Sequence, residues 1–440
     1  MIGDSGGRNL RTRLLLLLLA SSLVAAGQSN GVNDSTAPQP GQPSQANPPA
    51  VVKQEPDELK QQLDVDAAAI SKIPADPVVQ PDPLAPIFQP LDKLSDRLAQ
   101  SARLKFGATY TFLNQYATIV PDGTPRHNQL GGRLDFTGAW KAYDHGSSAG
   151  SISLLVRSGT NIGISQQFNL SDSIGSGLYL NCLQGGGPQE PITLNVLYWR
   201  QDLFEKRLSL YVGKIHPNEY ATLSMFNNDE RTQFLNGAND GNLAVAYDGT
   251  YAGGAAVEFQ APRHVYMHAV VVDTEGAQQR SIGTLADRKY MEGVELGWSS
   301  GSIGEQYRHY RVGMWRDDTK NNGSGYGGGF GFDHEFYNGW TPFGRFALST
   351  STGTAIKQVE GIGLANVHPF GRRGDMFGMA FNYSEPSNGN HHESLFESFY
   401  RLRLTQSVNI GPDVEVSIHP SYATKAYTTT LLGARMEIIF

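Results

Sequence analysis

Gly3-Asp4-Ser5-Gly6-Gly7 has the lettering of a serine nucleophile loop, where a sharp turn presents a hydroxyl to a carbonyl carbon. No strand-turn-helix pattern surrounds it, and it precedes a leucine run, in a stretch expected to be removed on export. Gly323, Gly325 and Gly328 match a dinucleotide fingerprint by letter, yet no helix pattern follows, and Gly329, Phe330 and Gly331 continue as a strand. His391-His392 is a pair in a polar loop; adjacent residues chelate poorly alone, so no metal site is assigned. The one cysteine, Cys182, excludes a disulfide framework and multi-cysteine metal or redox sites, and reads as an inert loop thiol. Neither a Walker loop nor an H-E-x-x-H motif occurs. No catalytic residue and no cofactor are therefore expected.

The other residues with chemical potential are charges that alternate with apolar neighbours. Lys105, Arg133, Asp135, Arg157, Glu258, Glu295, Arg311, Arg345, Glu397, Arg401, Arg403, Glu415, Arg435 and Glu437 all fall on the polar phase of such segments. If those segments are strands of a closed barrel, these side chains point inward. The set holds eight bases and six acids. A single-sign wall selects ions, whereas a mixed wall offers donors and acceptors to polyhydroxylated neutral solutes. Trp199, Tyr211 and Trp315 fall near the inward phase, where aromatic faces stack on sugar rings, although an outward girdle fits them too. The longest interruptions of the alternation lie at about 158–191 and 215–250. The second carries a dense polar cluster, Asn227, Asn228, Asp229, Glu230, Arg231, Gln233 and Asn236, either in a solvated external loop or in a segment folded inward to narrow a pore.

The elements that would position these residues are strands. The 440 residues include 50 Gly, 19 Tyr and 20 Phe, a balance that suits strands and turns. From Leu104 onward the apolar period is two: Leu104, Phe106, Ala108, Tyr110 and Phe112, then Leu134, Phe136, Gly138 and Trp140, and finally Leu432, Ala434, Met436, Ile438 and Phe440. Sixteen such segments centre near residues 108, 136, 153, 197, 210, 257, 268, 295, 311, 330, 346, 362, 379, 401, 416 and 434. A soluble sandwich or propeller would bury the apolar face against another sheet. A membrane barrel would show it to lipid. Export and the lack of a helical span favour the all-β reading, a transmembrane antiparallel barrel of about 16 strands.

The domain plan follows. Arg8, Arg11 and Arg13, the run Leu14–Leu19 and the small residues at Ala25-Ala26 make residues 1–26 an expected signal peptide. Residues 28–90 hold 12 of the 23 prolines with almost no aromatics, so 27–90 is expected to be a disordered spacer. Leu91, Leu94 and Leu98 then mark one short amphipathic helix over 91–102, and 103–440 forms the barrel. A net charge of −7 argues against nucleic-acid binding.

The sequence resembles the carbohydrate-selective porins of bacterial outer membranes, the OprB family. Leu194–Asn236 carries the likeness best: Arg207-Leu208-Ser209-Leu210-Tyr211-Val212-Gly213-Lys214, then Asn228-Asp229-Glu230 and Thr232-Gln233-Phe234-Leu235-Asn236-Gly237-Ala238. A second patch holds Glu397, Phe399-Tyr400, Leu404-Thr405 and Pro412-Asp413. The likeness spans about 91–440, without the aspartate-tryptophan-glycine-glycine element that often opens family members. It implies a sixteen-stranded barrel in the outer membrane passing small neutral sugars by facilitated diffusion. The ending on Phe440 resembles the terminal strand by which such barrels are recognised by the assembly machinery. A monomer is expected, with a trimer left open. A general or other-solute porin is the alternative, and a non-transport barrel anchoring the envelope a third reading.

Overall fold

The structure is a computed structural model. It describes residues 75–440, except 122–125, 161–169, 179–191, 221–223, 242–243, 245–250, 277–279, 320–322, 351–355, 388 and 390. The expected signal peptide, most of the expected spacer and Cys182 lie outside the described residues.

Helix α1 (Ala85–Ala102) leads into sixteen strands: β1 (Leu104–Ala117), β2 (Asn128–Asp144), β3 (Ser148–Thr160), β4 (Thr193–Leu203), β5 (Leu208–Ile215), β6 (Ala252–Gln260), β7 (Val265–Asp273) and β8 (Tyr290–Ser302) form the first half. The second half is β9 (Glu305–Thr319), β10 (Gly323–His334), β11 (Trp340–Ser349), β12 (Ile356–Asn366), β13 (Met376–Pro386), β14 (Glu393–Arg403), β15 (Val408–Ile418) and β16 (Thr428–Ile439). A short helix α2 (Leu170–Ile174) interrupts the β3–β4 connection. Each strand pairs antiparallel with its sequence neighbours, and β1 closes on β16 from Thr109 opposite Ile439 to Ala117 opposite Leu431. All sixteen centres read from the sequence fall inside these strands. Gly323, Gly325 and Gly328 are strand β10, with no helix beyond them.

Closure leaves no strand edge, so backbone polar groups are met within the sheet, as a hydrocarbon surrounding requires. Among the described residues no helix is long and apolar enough to cross a membrane. The strands alternate as expected: in β13, Met376, Gly378, Ala380, Asn382 and Ser384 are buried, while Met379 and Phe381 are exposed on the outer face. Val212, Leu296, Val312, Met314, Phe330, Ile362 and Leu432 continue this outer apolar band around the barrel. Aromatic pairs ring the short-turn end, including Tyr143–Trp199, Trp298–Tyr310 and Trp340–Phe377.

Helix α1 begins at Ala85, earlier than the Leu91 expected, so the spacer ends sooner than residue 90. Pro86 sits in the first turn, where a missing N–H costs nothing, while Pro90 lies inside the helix and forgoes one backbone hydrogen bond. Arg103 turns left-handed (φ 56°) and ends the helix. Ser95 then joins α1 to β1, its Oγ donating to the Phe106 carbonyl at 2.6 Å. Phe88 stacks on Phe440 with ring centroids 5.1 Å apart. Upstream, Asp82 accepts from Thr405 and from the Ser407 N–H, so the segment before α1 is held to the β14–β15 turn.

Candidate functional site

The connection between β5 and β6 folds into the barrel. It springs from one wall and reaches β13 and β14, half a circuit of sixteen strands away. Its near end is ionic. Glu230 accepts from Arg133 of β2 at 2.5 Å and lies 3.7 Å from Arg157 of β3. Asp135 pairs with Arg133 at 2.9 Å and with Arg157 at 3.2 Å. Arg231 pairs with Asp229 at 2.8 Å and lies 3.9 Å from Asp135. Burial alone would raise the Asp229 and Glu230 carboxyls. Arg231 beside Asp229, and Arg133 and Arg157 beside Glu230, hold both below the usual carboxylate range.

The tip of the loop is anchored on the far wall. Glu397 of β14 and Glu415 of β15 stand directly opposite each other, a pairing of like charges that needs donors. The loop supplies them: Glu397 accepts from the Leu235 N–H at 2.5 Å and Asn239 Nδ2 at 2.6 Å. Glu415 accepts from Asn236 Nδ2 at 2.8 Å, and from Gln115 of β1 at 2.7 Å. Arg435 of β16 donates to the Glu230 and Gln233 carbonyls at 2.7 and 2.6 Å. Ser224 bonds Asp333 of β10 and Asn239 bonds Asn382 of β13. Phe234 packs edge-on against Phe399 at 4.9 Å. Gly378 makes room for it, since a Cβ there would fall 2.5 Å from Phe399 and 3.0 Å from Phe234. The β3–β4 connection also turns inward, where Leu170 and Ile174 of α2 pack on Ala117 and Leu431, and the Gly177 N–H bonds Glu393.

A second charged wall faces the loop. Tyr211 donates to Glu258 at 2.6 Å and Tyr266 to Glu295 at 2.6 Å. His268 lies 3.9 Å from Glu258 and 3.8 Å from Glu295. Arg311 pairs with Asp333 at 2.6 Å. Arg345 is buried on the inner face of β11. Several of these charges keep water contact, with side-chain exposures of 19% for Arg157, 20% for Arg231, 17% for Glu258 and 18% for His268.

The structure thus places Arg133, Asp135, Arg157, Glu258, Glu295, Arg311, Arg345, Glu397, Arg401, Arg403, Glu415, Arg435 and Glu437 on the inner side of the strands, with Lys105 in the same phase of β1. Asn228, Asp229 and Glu230 lie on the inward loop; the Asn228 N–H bonds Gln233. Trp199 is different. It pairs with Ile152 and Val212 on the outer face, beside Tyr143. The expected phase fails because β4 carries an extra residue at Asn195, where the β3–β4 register shifts. Beyond that bulge Val196, Tyr198 and Arg200 point inward, and Trp199 joins the outer girdle. Tyr211 and Trp315 are buried on the inner side. The sequence reading missed Tyr251, which bonds Arg157, as well as Tyr266, His268 and Asp333. The polar phase of β7 and β10 was the available signal, blurred there by valines and glycines. Among the described residues no cluster of three or more histidines, cysteines or acids could hold a metal ion, and His392 stacks on Tyr383 instead.

The model of the family described as carbohydrate-selective porin, OprB family, matches residues 157–440, well over half of the chain. The high-pH structure of Pseudomonas putida OprB is similar over 80% of this chain and 97% of its own, with 13% identity and a TM-score of 0.67. A mutant porin of Rh. blastica aligns over 77% of this chain and 100% of its own, with 10% identity and a TM-score of 0.46. No curated protein matches the sequence.

Proposed function

The chain belongs to the carbohydrate-selective porin family, OprB, and from that premise we propose that sugars pass between the inward loop and the wall that bears Glu258 and His268. The protein is an outer-membrane porin for sugar diffusion, a channel rather than an enzyme. The observation that carries the finer reading is the loop itself. It lays Glu230 and Arg231 across the lumen, so that a solute meets acids and bases together. Ions of either sign find an opposing charge there, while hydroxyl groups can donate to carboxylates and accept from guanidiniums. Each barrel holds its own loop, so we infer that one copy suffices for transport. Residues 1–26, with Arg8, Arg11, Arg13 and the Leu14–Leu19 run, support export by a signal peptide, and the alternation of β16 supports its recognition by the barrel-assembly machinery.

Reconstitution of the full chain in a planar bilayer tests the reading. Glucose titrated against the salt current is expected to lower conductance saturably. An open pore indifferent to glucose would instead indicate a general porin.

A further inference from the structure

Beyond the loop, toward the short-turn end, a shallow recess of about 10 Å³, room for one water-sized group, opens into the inner wall between β14, β15 and β16. Arg231, Arg401, Arg435, Asn409, Gly411 and Glu437 line it. Three of these are cations and one is an acid. Two are already engaged: Arg231 by Asp229, and Arg435 by loop carbonyls. Arg401 is not. Its buried Nε meets no acceptor, and among the described residues no hydrogen bond or ion pair is made by its guanidinium. Arg403 and Arg435 repel it, while Glu437 and Asp229 attract it from a distance. Arg403 adds a second buried Nε without an acceptor, its other nitrogens being taken by Asn409 and the Gln406 carbonyl.

The wall beside Arg401 is opened by the backbone. The β14–β15 ladder pairs Phe399 with Asp413 and next Leu402 with Ile410, leaving Tyr400, Arg401, Gly411 and Pro412 unpaired across that seam, although each pairs with the strand on its other side. Pro412 has no N–H to offer, and a Cβ on Gly411 would fall 1.8 Å from the Tyr400 carbonyl oxygen. The sheet is therefore thinned where the unpaired guanidinium stands.

The geometry points to a binding site for the carboxylate of a hexose-sized uronate or aldonate, which meets Arg401 at the mouth of the recess while the ring stays in the lumen. This deepens, and rests on, the reading of the pore as a sugar channel. A planar guanidinium with free donors matches a carboxylate by two parallel hydrogen bonds. Asn409 and Glu437, themselves bonded at 2.5 Å, stand alongside to accept from ring hydroxyls. Glu437 also sets the charge limit, since it repels a dianionic phosphate more than a carboxylate monoanion.

The full-length protein in a planar bilayer at neutral pH and low salt is titrated with glucuronate, glucose and inorganic phosphate in turn. Glucuronate is expected to block at a concentration roughly tenfold or more below glucose, the worth of a charge-assisted hydrogen bond. Arg401→Gln is expected to bring the glucuronate-to-glucose ratio to about one, while Arg401→Lys keeps part of the preference, the cation being retained without the fork. A ratio of one in the unmodified protein, a ratio unaltered by Arg401→Gln, or phosphate blocking as tightly as glucuronate would overturn the assignment. The wild-type ratio needs no variant to fold. Absence of glucose block alongside an Arg401-dependent glucuronate block would remove the neutral-sugar reading and leave this site standing.

Discussion

Glu230 takes up the charge of two strand arginines at once, and this is what turns a polar surface sequence into an interior loop. Arg133 and Arg157 would otherwise face Asp135 alone, three charges on an inner wall with an excess of one cation. Replacing Glu230 with glutamine keeps an oxygen acceptor but removes the negative charge that offsets the two guanidiniums, at a cost of about 1–3 kcal/mol. The loop is then expected to dock less tightly and single-channel conductance to rise. The pH dependence has a definite sign. Glu230 is depressed relative to an unfolded carboxyl near 4.3, so its contribution is complete above that value and is lost as pH falls through the depressed one. His216 is pushed down to about 3 by burial and by Arg157, against the pull of Glu230, so it is neutral above pH 4.5 with or without the Glu230 charge. The conductance difference between wild type and Glu230→Gln should hold constant from pH 8 to about 4.5 and shrink only below that. A difference that decays between pH 7 and 5 would show that another group supports the clamp. At this scale, charge phase was legible wherever strands run true, and illegible at Trp199, because the extra residue at Asn195 leaves no compositional mark.

The strands were legible because lipid on one side and water on the other impose a period of two on every side chain. The inward loop was legible only as one of two readings, because Asn228, Asp229, Glu230 and Arg231 have the composition of a solvated turn. What marks it as interior is the apolar pair that follows, Phe234 and Leu235, both fully buried amid polar neighbours. Phe234 meets Phe343 at 5.8 Å and Phe399 at 4.9 Å, and so fixes the tip on β11 and β14 independently of the ionic end. Truncating a buried phenylalanine costs about 3–5 kcal/mol. The barrel ladder does not use Phe234, so the loss should fall on the loop. Phe234→Ala is expected to keep its heat-resistant barrel mobility in electrophoresis, while its open-channel current becomes noisier and its loop is cut faster by protease. Loss of the barrel itself would mean that the loop is part of the folding core rather than an insert docked on it.

At the scale of the molecule, two surfaces with opposite requirements share one sheet. Inward charges at mid-strand have an apolar neighbour one residue away that must face lipid, and the two cannot exchange without moving a charge into hydrocarbon. Arg311 and Val312 are such a pair: the first is buried against Asp333 at 2.6 Å, the second 58% exposed at the middle of β9. A lysine at position 312 would place an ammonium near the bilayer midplane, where it costs about 2–4 kcal/mol. The same substitution at Tyr337, 85% exposed on the β10–β11 turn, reaches the interface and costs about 0–1 kcal/mol. Reversible folding into lipid vesicles under a urea series should therefore separate Val312→Lys from Tyr337→Lys by at least about 1 kcal/mol. Equal stabilities would mean that the band around Val312 does not face lipid, and that the inner face, with its arginines and its docked loop, had been assigned to the wrong side of the sheet.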